Sequence, residues 1–371
     1  MLKLVSRIVL TLLLFLAYIL VFTDYTEASE KDYTSESDYE QIEKVLKDYG
    51  WQGESFEELV MSVAEGEIFS DYNLVSTISQ TIIENRTVII QILLLAISTM
   101  FLSVLDKNAS DAAMLFVSFI MITLLIAVYI NAAKTGSRCV QMAVDIYRAL
   151  CPVFFPAVSY SCGTGSAAAY YEIILFLMYL VNVFVKNILF KCNYAYMFLG
   201  ILDTFGEKEK FGKMCQLIKN IIKISVKGML MFFLGLNGIK SLIIPFGDSM
   251  KMSVLFKAVS MIPGLGNSAS TVSKTIVGSA VLIKNSIGVA AVIVMLVIIG
   301  IPLFKLVVMA LVYQFLGAIL EPVADKRIVK AVLVLSGSLE NMIYMIAVTV
   351  VLMCLTLAII CFATNINLYS I

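Results

Sequence analysis

Long uncharged apolar runs recur between Thr87 and Phe362, and a run placed in hydrocarbon must satisfy its backbone polar groups within its own segment. Thr87 to Leu105 and Ala112 to Ala133 each offer about twenty predominantly apolar residues, enough to cross a ~30 Å hydrocarbon core as helix. Further runs cover Ala167 to Phe190, Ile224 to Phe246, Ile287 to Ile301, Leu303 to Leu320 and Met342 to Phe362. With 60% hydrophobic and 15% charged residues, the 371-residue chain is far from the soluble norm of about 45–50% and 25%. Its mean hydropathy of +0.93 agrees. The expected fold is all-α. It is a polytopic integral membrane protein with about six to eight transmembrane or re-entrant helices after an N-terminal signal segment, plus amphipathic interfacial helices.

Three regions follow from the charge pattern. Residues 1–28 carry Lys3 and Arg7 before the apolar stretch Ile8 to Phe22, with small Thr26 and Ala28 beyond it; this fits either a cleaved signal peptide or an uncleaved anchor. Residues 29–86 form an acidic extracytoplasmic segment: between Asp24 and Glu84 sixteen acids face only Lys31, Lys44 and Lys47. Within it Ile42, Val45, Leu46 and Tyr49 share one helix face, and Ser55-Phe56-Glu57-Glu58 reads as a capping box. Such short amphipathic helices need a surface, either a partner or the body of the same chain. Residues 87–371 are the polytopic domain, with cytoplasmic lysines expected across Lys191 to Lys213 and the side of the Lys326-Arg327-Lys330 turn left open.

Several chemistries are excluded or unsupported. There is no histidine, which removes the commonest general base and metal ligand. The seven cysteines show no Cys-x-x-Cys spacing, so neither a zinc site nor a disulfide framework is expected. Gly264-Leu-Gly266-Asn-Ser-Ala269 mimics a dinucleotide fingerprint, but no acid occurs between Asp248 and Glu321 to hold a ribose, and a helix-breaking loop is the better reading. No P-loop occurs. No catalytic residue, cofactor, metal or nucleic-acid partner is expected.

The polar and helix-breaking positions inside the apolar body are the candidate sites. Cys139 to Tyr160 holds Asp145, Arg148, Pro152 and Pro156, and reads as a broken or re-entrant segment. Glu172 and Lys186 lie within the third run, where each either snorkels to an interface or lines a polar path; Lys240, Lys284 and Lys305 pose the same question. Residues 203–227 alternate six lysines with Phe211, Met214, Leu217, Ile218, Ile221 and Ile222, a pattern suited to anionic headgroups or to a pore lining.

Tyr49-Gly50, Gly66-Glu67, Ile174-Leu-Phe-Leu-Met178, Ile262-Pro263 with Gly266, Leu282-Ile-Lys284-Asn285-Ser-Ile-Gly288, Pro302 with Lys305, Tyr313, and Glu321-Pro322 occur in an order and spacing that resembles the stage III sporulation protein AE family of endospore-forming bacteria. The likeness is strongest over 257–322. It implies a non-enzymatic, permease-like component of the channel linking mother cell and forespore, seated in the mother-cell membrane and needed for late forespore gene expression. Implied partners are other proteins of the same operon, including an ATPase, and a forespore-side bitopic protein, beside membrane lipid and further copies of the chain. On this reading Pro152, Pro156, Pro263, Gly264, Gly266, Lys284, Asn285, Gly288, Pro302, Lys305, Glu321 and Pro322 are conduit or hinge candidates, and Glu172 and Lys186 intramembrane polar ones. A stand-alone secondary transporter and a scaffold without a conduit are the alternatives.

Overall fold

The computed structural model describes residues 40–49, 55, 56, 58, 74–102, 107–162, 165–206, 210–260 and 266–363; some of these, including 151–162, 165–172, 237–260, 266–286 and 359–363, are described as backbone alone. In chain order the helices are α1 (Glu40–Asp48), α2 (Leu74–Leu102), α3 (Lys107–Cys162), α4 (Gly165–Phe184), a π-helical turn (Val185–Leu189), α5 (Phe190–Phe205), α6 (Gly212–Ser260), α7 (Gly266–Leu320) and α8 (Lys326–Ala363). No strand occurs among the described residues. Five helical stretches there are long and apolar enough to cross a membrane: Ile78–Thr99, Ala112–Leu150, Phe176–Phe205, Ile287–Leu320 and Lys326–Ala358. The protein is an all-α polytopic membrane protein.

Several expected boundaries move. The first span opens at Ile78 instead of Thr87, so Glu84 and Arg86 ride on its N-terminal half. The expected break in 139–160 is absent: α3 is one 56-residue helix that passes through Pro152 and Pro156. Pro302 likewise lies inside α7, so the two runs on either side form one span, not two. A proline removes one backbone donor, and membrane helices tolerate this where neighbouring helices and local adjustment absorb the loss. Lys191 falls inside the span Phe176–Phe205, further from the connecting loop than the charge pattern suggested. The fourth expected run, Ile224 to Phe246, lies on α6.

Packing follows the lack of bulk water. α7 and α8 form the central antiparallel pair, and α3 lies against both. Without a hydrophobic force between helices in lipid, close association relies on small residues and interhelix hydrogen bonds. Ser336 Oγ accordingly donates to the Ala310 carbonyl of α7 at 3.0 Å. Gly200 of α5 meets Val334 of α8 so closely that a Cβ would come within 2.6 Å of Val334 Cγ1. α5 and α8 run antiparallel in constant register: Asp203 pairs with Lys330, Gly200 faces Val334, Gly337 faces Tyr196, and Asn193 bonds to Asn341. Asn182 of α4 carries the same register on to Met353.

That register places Gly206, Lys210 and Phe211 near the start of α8. Lys210, Lys213, Lys326, Arg327 and Lys330 therefore collect at one end of the bundle. A cluster of this kind is what the positive-inside bias expects of a cytoplasmic end. One ion pair thus puts the Lys326-Arg327-Lys330 turn, whose side is open on sequence grounds, at the same end as Lys210 and Lys213.

Candidate functional site

Arg138, Gln141, Asp145 and Arg148 recur at intervals of three, four and three residues, which lines them along one face of α3. Three neighbouring helices meet this stripe. From α1, the Tyr49 hydroxyl donates to Asp145 Oδ2 at 2.6 Å. Gln141 Nε2 donates to Asp145 Oδ1 at 2.8 Å, and Gln141 Oε1 accepts from Lys186 Nζ at 2.6 Å. Arg148 Nη2 donates to the Tyr179 hydroxyl of α4 at 2.9 Å. The result is an unbroken chain from an ammonium through an amide and a carboxylate to a phenol.

Local structure explains each position. α1 starts with Glu40 and Glu43 in its first turn and ends with Lys47, matching its dipole. Its apolar face is buried on α3: Ile42 is 1% and Leu46 2% exposed. The surface such a helix needs is therefore the body of the same chain. Arg138 lies over the Tyr49 ring, 5.8 Å from its centroid. Burial, and then the hydrogen bond to Asp145, raise the Tyr49 phenol above its ordinary range, so it remains a donor. Lys186 sits in the π-helical turn, an insertion that often re-aims a side chain at functional sites. The capping box is present, with Ser55 and Glu58 exchanging bonds at 2.9 and 3.2 Å.

A second polar knot lies deeper. Asn193 Nδ2 donates to the Tyr129 hydroxyl at 3.1 Å and to the Ser338 carbonyl at 3.0 Å, while Asn341 Nδ2 donates to Asn193 Oδ1 at 3.4 Å. It ties α3, α5 and α8 together, with Asn193, Ser338 and Asn341 buried. At the end that gathers the basic residues Asp203 bonds to Lys330 and accepts from the Phe211 amide at 2.6 Å.

The expected candidates are distributed unevenly. Lys186 joins the hydrogen-bonded ladder it forms with Gln141, Asp145 and Tyr49. Lys305, one turn beyond Pro302, pairs with Glu84 of α2, a partner that 221 residues of separation had hidden. Gly288 is buried on α7, and Glu321 and Pro322 form the exposed turn before α8. Pro152, Pro156, Glu172, Gly266, Lys284 and Asn285 lie on helices whose side chains there are outside the described residues, as are Pro263 and Gly264 altogether. In the sequence Asp145 and Arg148 stand out only as polar interruptions of an apolar stretch; their helical spacing with Arg138 and Gln141 is the signal that unites them. A groove of about 930 Å³ between α2 and α7, lined by Ile82, Leu93 and Phe315 among others, is apolar apart from Gln314. Among the described residues no group of His, Cys, Asp and Glu side chains could hold a metal ion.

The family model described as Stage III sporulation protein AE matches residues 55–364. The chain belongs to the stage III sporulation protein AE family. A curated relative, the stage III sporulation protein AE of Bacillus subtilis (strain 168), is 24% identical over 301 residues, covering 80% of this chain and 75% of its own. No solved structure matches. Relative to the stage III sporulation protein AE model, the matched stretch contains α2 to α8 whole and leaves α1 and Tyr49 outside it. The ladder thus joins the family's common body to a helix beyond its matched limits.

Proposed function

We propose that this chain is a non-enzymatic component of the channel apparatus between mother cell and forespore, held in the mother-cell membrane and docking partners on its extracytoplasmic side. Family membership supports the sporulation role. The observation that carries the docking role is the seating of α1 on α3. At 1.5 Å per residue the 56-residue α3 is about 84 Å long, well beyond a ~30 Å hydrocarbon core. Lys186 lies seventeen residues from Asp203, roughly 25 Å along the helix from the cytoplasmic pair. The ladder therefore stands at the outer end, where it fixes an extracytoplasmic helix to a membrane body. α1 turns Lys44, Lys47 and Asp48 outward, a charged face open to a partner.

The partners on this reading are proteins of the same operon, an ATPase among them, and a bitopic protein of the forespore membrane that meets the complex between the two membranes. The test is deletion of residues 38–70 in the native sporulating cell. The shortened chain is expected to reach the membrane in normal amount, fail to assemble with its partners and leave late forespore gene expression off. Normal spores from that strain would sink the docking role.

A further inference from the structure

Between Gly212 and Leu236, α6 presents three different faces. Ile218, Ile222, Val226 and Phe233 are buried against the bundle. Leu217, Ile221 and Ile224 are exposed at 57%, 44% and 69%. On the remaining face lie Gln216, Asn220 and the lysines Lys219, Lys223 and Lys227, with Lys213 near the start; all four lysines are exposed except the half-buried Lys219. No acidic residue occurs in this stretch, and none of the four has an acidic partner among the described residues.

Depth makes this arrangement informative. α6 turns back at Phe211, whose amide bonds to Asp203, and Cys215 lies near enough to Asp203, Lys330 and Tyr196 to feel or exert their charge. It then runs beside α5 and touches α4, so its first half shares the level of the span Phe176–Phe205. On α5 at this level Tyr194, Phe198 and Leu202 are exposed, as lipid-facing residues are. Leu217, Ile221 and Ile224 fit acyl chains equally well. The lysine face at the same depth does not, because an unpaired ammonium in hydrocarbon is strongly disfavoured. Lys213 can reach the headgroups. Lys223 stands about 17 Å along the helix from Gly212, near the middle of a ~30 Å core and beyond a lysine stem's reach of either surface, and Lys227 continues the same face at about 22 Å.

We propose that the face bearing Lys219, Lys223 and Lys227 is one wall of a water-filled, anion-attracting passage through the membrane, with Lys213 at its cytoplasmic mouth and the opposite wall supplied by other subunits. The proposal rests on the channel reading and deepens it by naming the lining helix and the sign of charge it favours. Regularly spaced cations in a low-dielectric wall concentrate small anions and repel cations.

The test uses the assembled complex in sporulating cells, with single cysteines introduced into a cysteine-free chain as Lys219→Cys, Lys223→Cys and Lys227→Cys, and Leu217→Cys, Ile221→Cys and Ile224→Cys as lipid-face controls. Anionic and cationic thiosulfonate reagents of equal size are compared. The three lysine-face sites should react, the anionic reagent faster by about tenfold or more, and the ratio should shrink as salt rises. The controls should stay silent. Water-soluble acylation of the native Lys219, Lys223 and Lys227, read by mass spectrometry in the unsubstituted chain, makes the same test where a cysteine variant fails to accumulate. Silent lysine sites, equal reaction of both faces, or no preference for the anionic reagent overturns the passage. Reaction only with a lipid-dissolved maleimide would place lipid there, and reaction only after the chain is stripped from its assembly would place an acidic partner there; both overturn it too. Labelling reads water and charge at α6 alone, whereas the 38–70 deletion reads the sporulation role, so either can fail without the other.

Discussion

Lys330 Nζ lies 3.4 Å from Asp203 Oδ2, joining the first turns of α8 to the last turn of α5. One contact between residues 127 apart puts two basic clusters on the same side of the membrane. Single cysteines at Lys210 and Lys326 are therefore expected to share one labelling side, the cytoplasm, and a cysteine at Asp48 the other. Opposite labelling of 210 and 326 by an impermeant reagent would refute the helix pairing.

The bond between Tyr49 and Asp145 predicts a detachable α1. Tyr49→Phe removes the donor and should weaken docking by roughly 1–2 kcal/mol, seen as faster amide exchange in Glu40–Asp48 with the other helices unchanged. The pH dependence has a definite sign. The phenol is raised from an ordinary value of 10.0, so its contribution is complete below that pH and fades as the pH climbs through the higher folded value. Exchange protection of α1 should hold through neutrality and fall only in strong alkali. Tyr49→Phe should lose that alkaline step.

The pairing of Lys305 with Glu84 separates a structural ion pair from a coupling residue. Lys305→Glu and Glu84→Lys alone should each lower the amount of folded protein in the membrane. The double exchange should restore both abundance and spore formation. A double variant with full abundance and no spores would instead give Lys305 a role beyond its partner.

At Gly200 the limit is space. Gly200→Val drives carbon into Val334 and should cost about 2–3 kcal/mol by overpacking the α5–α8 contact. Val334→Ala in the same chain should recover most of that loss in a detergent unfolding assay. Recovery by an equally small change away from α8 would mean that the contact is not the cause.

Cys215 offers a reporter beside the Asp203–Lys330 pair. Burial, then the Asp203 carboxylate, push its thiol up, with Lys330 opposing. In a chain with Cys215 as the sole cysteine, Asp203→Asn should move the midpoint of the alkylation–pH profile downward, because a negative neighbour is lost. A higher plateau with an unmoved midpoint would indicate greater access only.

What the linear chain determined was its solvent. Apolar runs of helix-spanning length require a bilayer whatever their partners, because that demand arises from each segment's own backbone. The acidic segment, the clustered lysines and the shared face of Ile42, Leu46 and Tyr49 are equally local, and periodicity exposes them. Tertiary structure alone decided which polar groups are paired. Lys305 finds Glu84, Lys186 finds Gln141, and Asn193 finds Tyr129 and Ser338 across separations that no local pattern encodes. The same holds for Pro152, Pro156 and Pro302: a proline removes one bond anywhere, but whether the helix then breaks depends on the helices packed around it.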